Sequence, residues 1–478
     1  MNCNRFLPVH SRRDLLRTSA NGFGLMALAS MLGNEAGAAG ARGPAGEGQE
    51  GPLAPKAPPF TPRAKRIIFM FMHGGPSQVD TFDHKPLLTR DSGKPYPGQK
   101  PRVQFAQTGN LLRSPWEFRK YGQSGIEVSD LFPHVGAMAD DLCVIRSIHA
   151  DNSAHGGALL QLHTGSDTFV RPSIGSWVTY GLGTENRNLP GFITICPTLG
   201  HGGVQNWSSA FLPADYQGTP IGNASIRAKN ATINFIKNPD TAAELQQLQL
   251  GMLKEVNQRH LQPLGPDPQL EARINSFELA YRMQMSAPQL LDISKETPET
   301  LKLYGIDEEP TDNFGRQCLL ARRCAEEGVR FIQCTHSYKW DQHGNLKAGH
   351  GKNAAEVDKP IAGLLRDLKA RGLLEDTLVW WGGEFGRPPT AQGDDGRDHN
   401  PHAFSMWLAG GGVKGGMTYG ATDDYGYYAV ENKVHLHDLH ATILHLLGMD
   451  HEKLTYRFAG RDFRLTDVSG RVVEEIMG

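Results

Sequence analysis

Residues 66–72, Arg-Ile-Ile-Phe-Met-Phe-Met, form a continuous apolar run that stops at His73-Gly74-Gly75-Pro76. A strand with apolar side chains on both faces has nothing to show to water, so it must lie inside a sheet covered on both sides. Four further runs of this kind follow, at 142–148, 329–334, 377–381 and 404–409. Between them lie helical patterns. Ala354, Val357, Ile361, Leu364, Leu365 and Leu368 recur at helical spacing within 353–371, and Gly372 follows as a C-terminal cap. Residues 312–327 and 437–447 show the same periodicity, the latter ahead of Gly448. Strands alternating with helices predict an α/β fold, a doubly wound and mainly parallel sheet flanked by helices.

Residues 168–310 break this rhythm. They hold Gly/Pro-rich loops at 171–190 and 198–226, then polar helices near 240–260 and 269–285. The expectation is a loop-rich insertion that caps one side of the sheet. Trp207, Phe211 and Tyr216 in its loops are of the type that stacks on sugar rings or anchors the loop itself.

The first 38 residues read differently. Arg12-Arg13 heads a modest apolar stretch, 22–29, and a small-residue cleavage pattern, Ala36-Gly37-Ala38. That order predicts a twin-arginine signal peptide, and with it export to the periplasm or beyond. Residues 39–63, rich in Gly, Ala and Pro, read as a flexible linker. A chain of 478 residues would allow about three domains at ~150 residues each. The patterning instead leaves one domain, 64–478. The whole chain's formal charge of -2, becoming -4 without the leader, excludes a basic nucleic-acid binder. No apolar run is long enough to span a membrane. Five cysteines would remain, with no Cys-x-x-Cys pair among them, so buried thiols are expected in place of disulfides or a zinc ribbon.

Open α/β sheets form their sites beyond the carboxyl ends of the strands. Here those ends carry acids and imidazoles repeatedly. Asp80 and Asp83 follow the first run, and His149 to His155 follows the second. His336 to Asn345, with Asp341 and His343, follows the third. Glu384 to Arg387 follows the fourth, and Asp398-His399-Asn400-Pro401-His402 leads into the fifth. Carboxylate with imidazole is the ligand set for Zn²⁺, Mn²⁺ or Fe, and for Mg²⁺ or Ca²⁺ where oxygens dominate. Two ions ~4 Å apart would need about six such groups. His336 and His350 are read as loop histidines or ligands. His435, His437, His440, His445 and His451 are read as a helix face without chemistry.

Several segments resemble a large bacterial family labelled domain of unknown function 1501, whose members carry a twin-arginine leader. These are Gly74-Gly75-Pro76-Ser77-Gln78-Val79-Asp80-Thr81-Phe82-Asp83, Trp340-Asp341-Gln342-His343-Gly344-Asn345, Gly383-Glu384-Phe385-Gly386-Arg387, and 437–448. That family is similar in turn to the alkaline phosphatase and sulfatase superfamily. The resemblance implies one or two divalent metal ions held by Asp80, Asp341, His343, Glu384, Asp398 and His399. His73 is the alternative to Asp80, and His402 the alternative to His399. It implies Ser153, within Asn152-Ser153-Ala154, as nucleophile; the other reading of Ser153 is a helix N-cap. His155 would protonate the leaving group or bind substrate, and Arg387 would neutralise the transferred group's oxygens. The expected activity is hydrolysis of phosphate or sulfate esters, with sulfated or phosphorylated carbohydrates as candidate substrates. The competing class is an exported, non-catalytic binding or envelope-assembly protein. Two departures bear on this. Phe385 stands where the superfamily has a ligand His, and no Cys-x-Pro-x-Arg sequence exists.

Overall fold

The computed structural model describes residues 52–101, 107–234, 236, 241–264 and 268–478, so the expected leader and residues 39–51 of the expected linker lie outside it. The first strand, β1 (Arg66–Met72), is buried along its whole length. Its side chains alternate between two cores. Ile68, Met70 and Met72 join one cluster, and Ile67, Phe69 and Phe71 join the other. The run is therefore apolar throughout because both faces are covered.

A short helix α1 (Gln78–Thr81) follows. Then come β2 (Leu142–His149), α2 (His155–Thr164), α3 (Ile174–Leu182), β3 (Phe192–Ile195) and β4 (Thr219–Ile221). Two longer helices, α4 (Ala243–Leu264) and α5 (Pro268–Leu291), precede α6 (Asp312–Glu326), β5 (Phe331–His336) and α7 (Leu346–Ala370). The chain closes with β6 (Thr377–Gly382), β7 (Phe404–Ala409), β8 (Met417–Tyr419), β9 (Val434–His435) and α8 (Leu436–Leu446). The sheet runs β8-β2-β7-β6-β1-β5-β3-β4, with β9 also paired to β2. β1 pairs in parallel with both β5 and β6. β7 alone runs antiparallel, to β2 and to β6. This is the expected α/β sheet, doubly wound and mainly parallel.

The insertion needs correction. Residues 168–310 do not merely cap the sheet. They supply β3 and β4, which extend it beyond β5 with parallel pairing. Both strands are short, four and three residues, and Pro220 interrupts the second, which hid them from periodicity. Residues 52–63 also depart from a flexible linker. Lys56 N–H donates to the Leu182 carbonyl and Arg63 N–H to that of Leu446, while Phe60 lies 4.8 Å from the His445 ring. Trp207 and Tyr216 are buried, so they anchor their loops. The five described cysteines are free and buried. Among the described residues no helix is long and apolar enough to cross a membrane.

Candidate metal centre at the strand ends

Six elements or loops deliver side chains to the carboxyl end of the sheet. His73 leaves β1, and Asp341 and His343 lie in the turn after β5. Glu384 leaves β6, and His155 opens α2 just after β2. Because β7 is antiparallel, the loop before it begins and ends at this same edge, and it carries Asp398 and His399. His201 arrives from the loop between β3 and β4, inside the insertion.

Asp341 is the focus. Its Oδ1 lies 3.1 Å from His343 Nε2 and 3.1 Å from His399 Nε2, and its Oδ2 lies 3.3 Å from His155 Nε2. The second nitrogen of each ring is held from outside. His155 Nδ1 is 2.7 Å from Glu384 Oε1, His399 Nδ1 is 2.7 Å from the Ser153 carbonyl oxygen, and His343 Nδ1 meets Gln392 Oε1. All three outer atoms are acceptors, so each Nδ1 carries a proton and donates it. A neutral ring then turns the Nε2 lone pair on the carboxylate of Asp341.

The rings answer this differently. Burial opposes a charge on His155, yet Asp341 and Glu384 raise its pKa to about 9. The bond to Asp341 also raises His343. His399 is lowered, because burial outweighs Asp341. His399 is thus a neutral imidazole with oxygen acceptors before both nitrogens. Asp341 itself is held well below the usual carboxylate range: its burial is outweighed by the three imidazoles and by Arg387.

Three overlapping groups of ligand atoms come within 4.8 Å of one another: His73–His155–His201, His155–Asp341–His399 and His343–Asp398–His399. His155 and His399 each belong to two. His73 is buried and lowered to about 4, chiefly by desolvation. Its Nε2 lies 3.4 Å from His201 Nδ1, and its Nδ1 has no hydrogen-bond partner among the described residues. Tyr338, half exposed at φ 45°, closes the outer side, its ring 5.0 Å from His73 and 4.9 Å from His201. With their outer nitrogens held as donors, the rings would offer convergent Nε2 lone pairs once a cation displaced the protons that Asp341 favours there, and such a set fits a borderline cation such as Zn²⁺.

The wall behind the centre explains the glycine motif. Glu384 is wholly buried and accepts the Gly74 N–H at 3.0 Å. Gly74 has φ 117°, and a Cβ there would come 2.7 Å from the Asp341 and Trp340 nitrogens. Only glycine lets the β1 turn approach the Asp341 turn so closely.

Four expected roles change with these positions. His155, expected to protonate the leaving group or bind substrate, has its Nε2 turned on Asp341. Asp80 stands outside all three ligand groups. It is fully buried on α1, paired with Arg397 at 2.7 Å from Nε, and accepts the Ser77 hydroxyl at 2.5 Å. Arg387 is enclosed by the protein. Fully buried, it donates to the carbonyls of Gly74, Gly75, Trp340 and Arg397 and to Asp341 Oδ1 at 2.7 Å. Glu384 acts on the outer side of His155, in the manner of a carboxylate that orients a ligand. Asp398 accepts the His399 N–H at 2.8 Å and lies 3.9 Å from His343 Nδ1. Ser153 is not the cap of α2; that position belongs to Ala154. His73 was legible only as an alternative to Asp80. His201, framed by Gly200 and Gly202-Gly203, gave no signal beyond a glycine-rich loop. His402 lies beside His399 in an adjoining cavity and His350 accepts the Ser77 N–H; neither joins the three groups.

No curated protein matches the chain. Among solved structures it is similar to Ps i-CgsB in complex with k-i-k-neocarrahexaose, at 12% identity over 80% of this chain and 72% of that one, TM-score 0.37. It is similar to the PsFucS1 sulfatase from Pseudoalteromonas sp., at 13% identity over 82% and 69%, TM-score 0.35. It is also similar to alkaline phosphatase from the Antarctic bacterium TAB5, at 10% identity over 81% and 99%, TM-score 0.29. Residues 64–477 match the family described as "Protein of unknown function (DUF1501)", and the chain belongs to that family.

Proposed function

We propose that this member of the family is an exported, metal-dependent hydrolase of phosphate or sulfate esters, with a cation held by His155, Asp341, His343 and His399. The observation that supports it most is His399: burial keeps the ring neutral while Ser153 O and Asp341 Oδ1 face its two nitrogens. A cation between the Nε2 atoms and Asp341 turns that mismatch into ligation. Three nitrogens and one carboxylate oxygen suit Zn²⁺, or Mn²⁺ or Fe, better than Mg²⁺ or Ca²⁺, which prefer all-oxygen sets. His73 and His201, sharing His155, offer a second position. The ester class rests on the resemblance of the strand-end segments to the phosphatase and sulfatase superfamily. Export rests on the Arg12-Arg13 leader.

A bound divalent ion would supply charge neutralisation for the transferred group and a lowered pKa for a bound hydroxyl. The chain's own residues do the rest. Glu384, Gln392 and the Ser153 carbonyl fix three rings in one tautomer. Arg387 holds Asp341 against the two glycine turns and acts as a positioning residue. Asp398 holds the His399 backbone. Ser153 sits where the centre meets the adjoining cavity. Its Oγ forms the bond to phosphorus or sulfur as the ester oxygen departs, and the proton it gives up ends on that leaving oxygen. Water then releases phosphate or sulfate and restores the serine.

The test uses the full chain expressed with its leader. Bound metal is measured, and generic phosphate monoesters, phosphate diesters and sulfate esters are assayed. Metal together with activity, both lost in Asp341→Ala, with activity alone lost in Ser153→Ala, is expected. Activity that persists unchanged in both variants overturns the reading.

A further inference from the structure

A cavity of about 260 Å³ opens directly beside His399 and Asp398. We infer that it is the subsite for the leaving group, and that it takes a neutral polyhydroxyl group of about one sugar ring, not a second anionic group. The inference rests on the hydrolase reading above and adds where the rest of the substrate sits.

The lining decides the class. Asp151 and Asp398 bring two carboxylates, while Thr108, His402 and Tyr427 bring a hydroxyl, an imidazole and a phenol ring. No lysine or arginine lines it among the described residues. Desolvation lowers His402 and raises Tyr427, so both stay uncharged near neutral pH. Asp151 is already fixed by Gln161 and by His435, 3.0 Å from its Oδ2. A phosphate, sulfate or carboxylate placed here would meet two carboxylates and, among the described lining residues, no cation to pair with. Hydroxyl groups instead donate to carboxylates, and a ring can lie on Tyr427. The volume lies just under the ~300–1,000 Å³ typical of small-molecule pockets, which suits one ring and not a dinucleotide. The cavity shares Ser153 and His399 with the centre, so a group held in it is adjacent to the ester being cleaved.

The experiment compares, with metal-loaded full chain, a hexose 6-phosphate and the hexose 1,6-bisphosphate, or the matching sulfates if sulfate esters are the ones cleaved. The monoester is expected to have a kcat/KM at least tenfold higher. Thr108→Trp, which fills the cavity from a half-buried loop position, should raise KM for the monoester tenfold or more, while inhibition by inorganic phosphate moves less than twofold. Thr108→Lys should narrow the preference against the bisphosphate to under threefold. A bisphosphate cleaved as well as the monoester overturns the subsite, as does a Thr108→Trp variant that loses inorganic phosphate and hexose ester equally. Absence of any hydrolysis overturns the hydrolase reading alone. Calorimetry with free glucose then decides the cavity: binding lost in Thr108→Trp supports it, and no binding to the unaltered chain overturns it.

Discussion

Two histidine-rich regions of this molecule look alike in sequence and differ in what their second nitrogens do. At the strand ends, His155, His343 and His399 each have Nδ1 held by an outer acceptor and Nε2 turned on Asp341. Around α8, His437 Nε2 faces the Gly165 carbonyl and His440 Nε2 the Leu162 carbonyl, and each leaves Nδ1 without a partner among the described residues. The first set converges on one carboxylate. The second scatters over separate carbonyls, tying α8 to α2 and its C-cap. Histidine count is therefore no guide to chemistry. A site is recognised by rings whose donors point outward and whose lone pairs point to a common place.

The largest effect that would break the comparison comes from its focus. Asp341→Ala removes the carboxylate that all three rings share. Bound metal should vanish and ester hydrolysis should fall by about 10³-fold or more, read by metal analysis and kcat/KM. Glu384→Gln sharpens the claim about outer partners. Gln keeps an acceptor for His155 but loses the charge, so metal affinity should weaken about 10- to 100-fold, measured by competition with a chelator. Equal affinity in that variant would return Glu384 to a filler role.

Acid separates the buried rings outside the centre. Burial lowers His163 to about 4 and His350 and His440 to about 3. These folded values lie below the unfolded 6.5, so the unfolded chain binds more protons in between. Their contribution to stability is full above pH 6.5 and is lost as pH falls toward 3–4, at up to about 1.4 kcal/mol per pH unit for each. Denaturant melts at several pH values check the sign. The smallest effect is His440→Leu. It should cost about 1–3 kcal/mol through the Leu162 carbonyl left behind, with metal content unchanged. Metal lost from that variant would erase the distinction between the two regions.

Much of this was legible before the structure. The continuous burial of β1 followed from seven residues with no polar face, and the helix at 312–326 followed from its spacing. The spacing within 353–371 marked only the later turns of α7, which begins at Leu346, so His350, read as a loop histidine, lies on that helix. His155, Asp341, His343 and His399, all named at the strand ends, come within reach of one another in the fold. Asp80 misled because an acid after a strand reads the same whether it meets a cation or an arginine. Its partner Arg397 is 317 residues away, and nothing local signals the pair. Arg387 misled in the same way, since a guanidinium saturated by carbonyls carries no sequence mark. His201 was hidden because β3 and β4, which present its loop, are too short to show a period.

The most direct test of the centre is X-ray absorption at the metal edge of protein purified from its natural export route. The account predicts an ion bound by three imidazole nitrogens at about 2.0–2.1 Å with one carboxylate oxygen, and loss of that signal in Asp341→Ala. No bound metal, or an ion with no histidine ligands whose spectrum Asp341→Ala leaves unchanged, would contradict it.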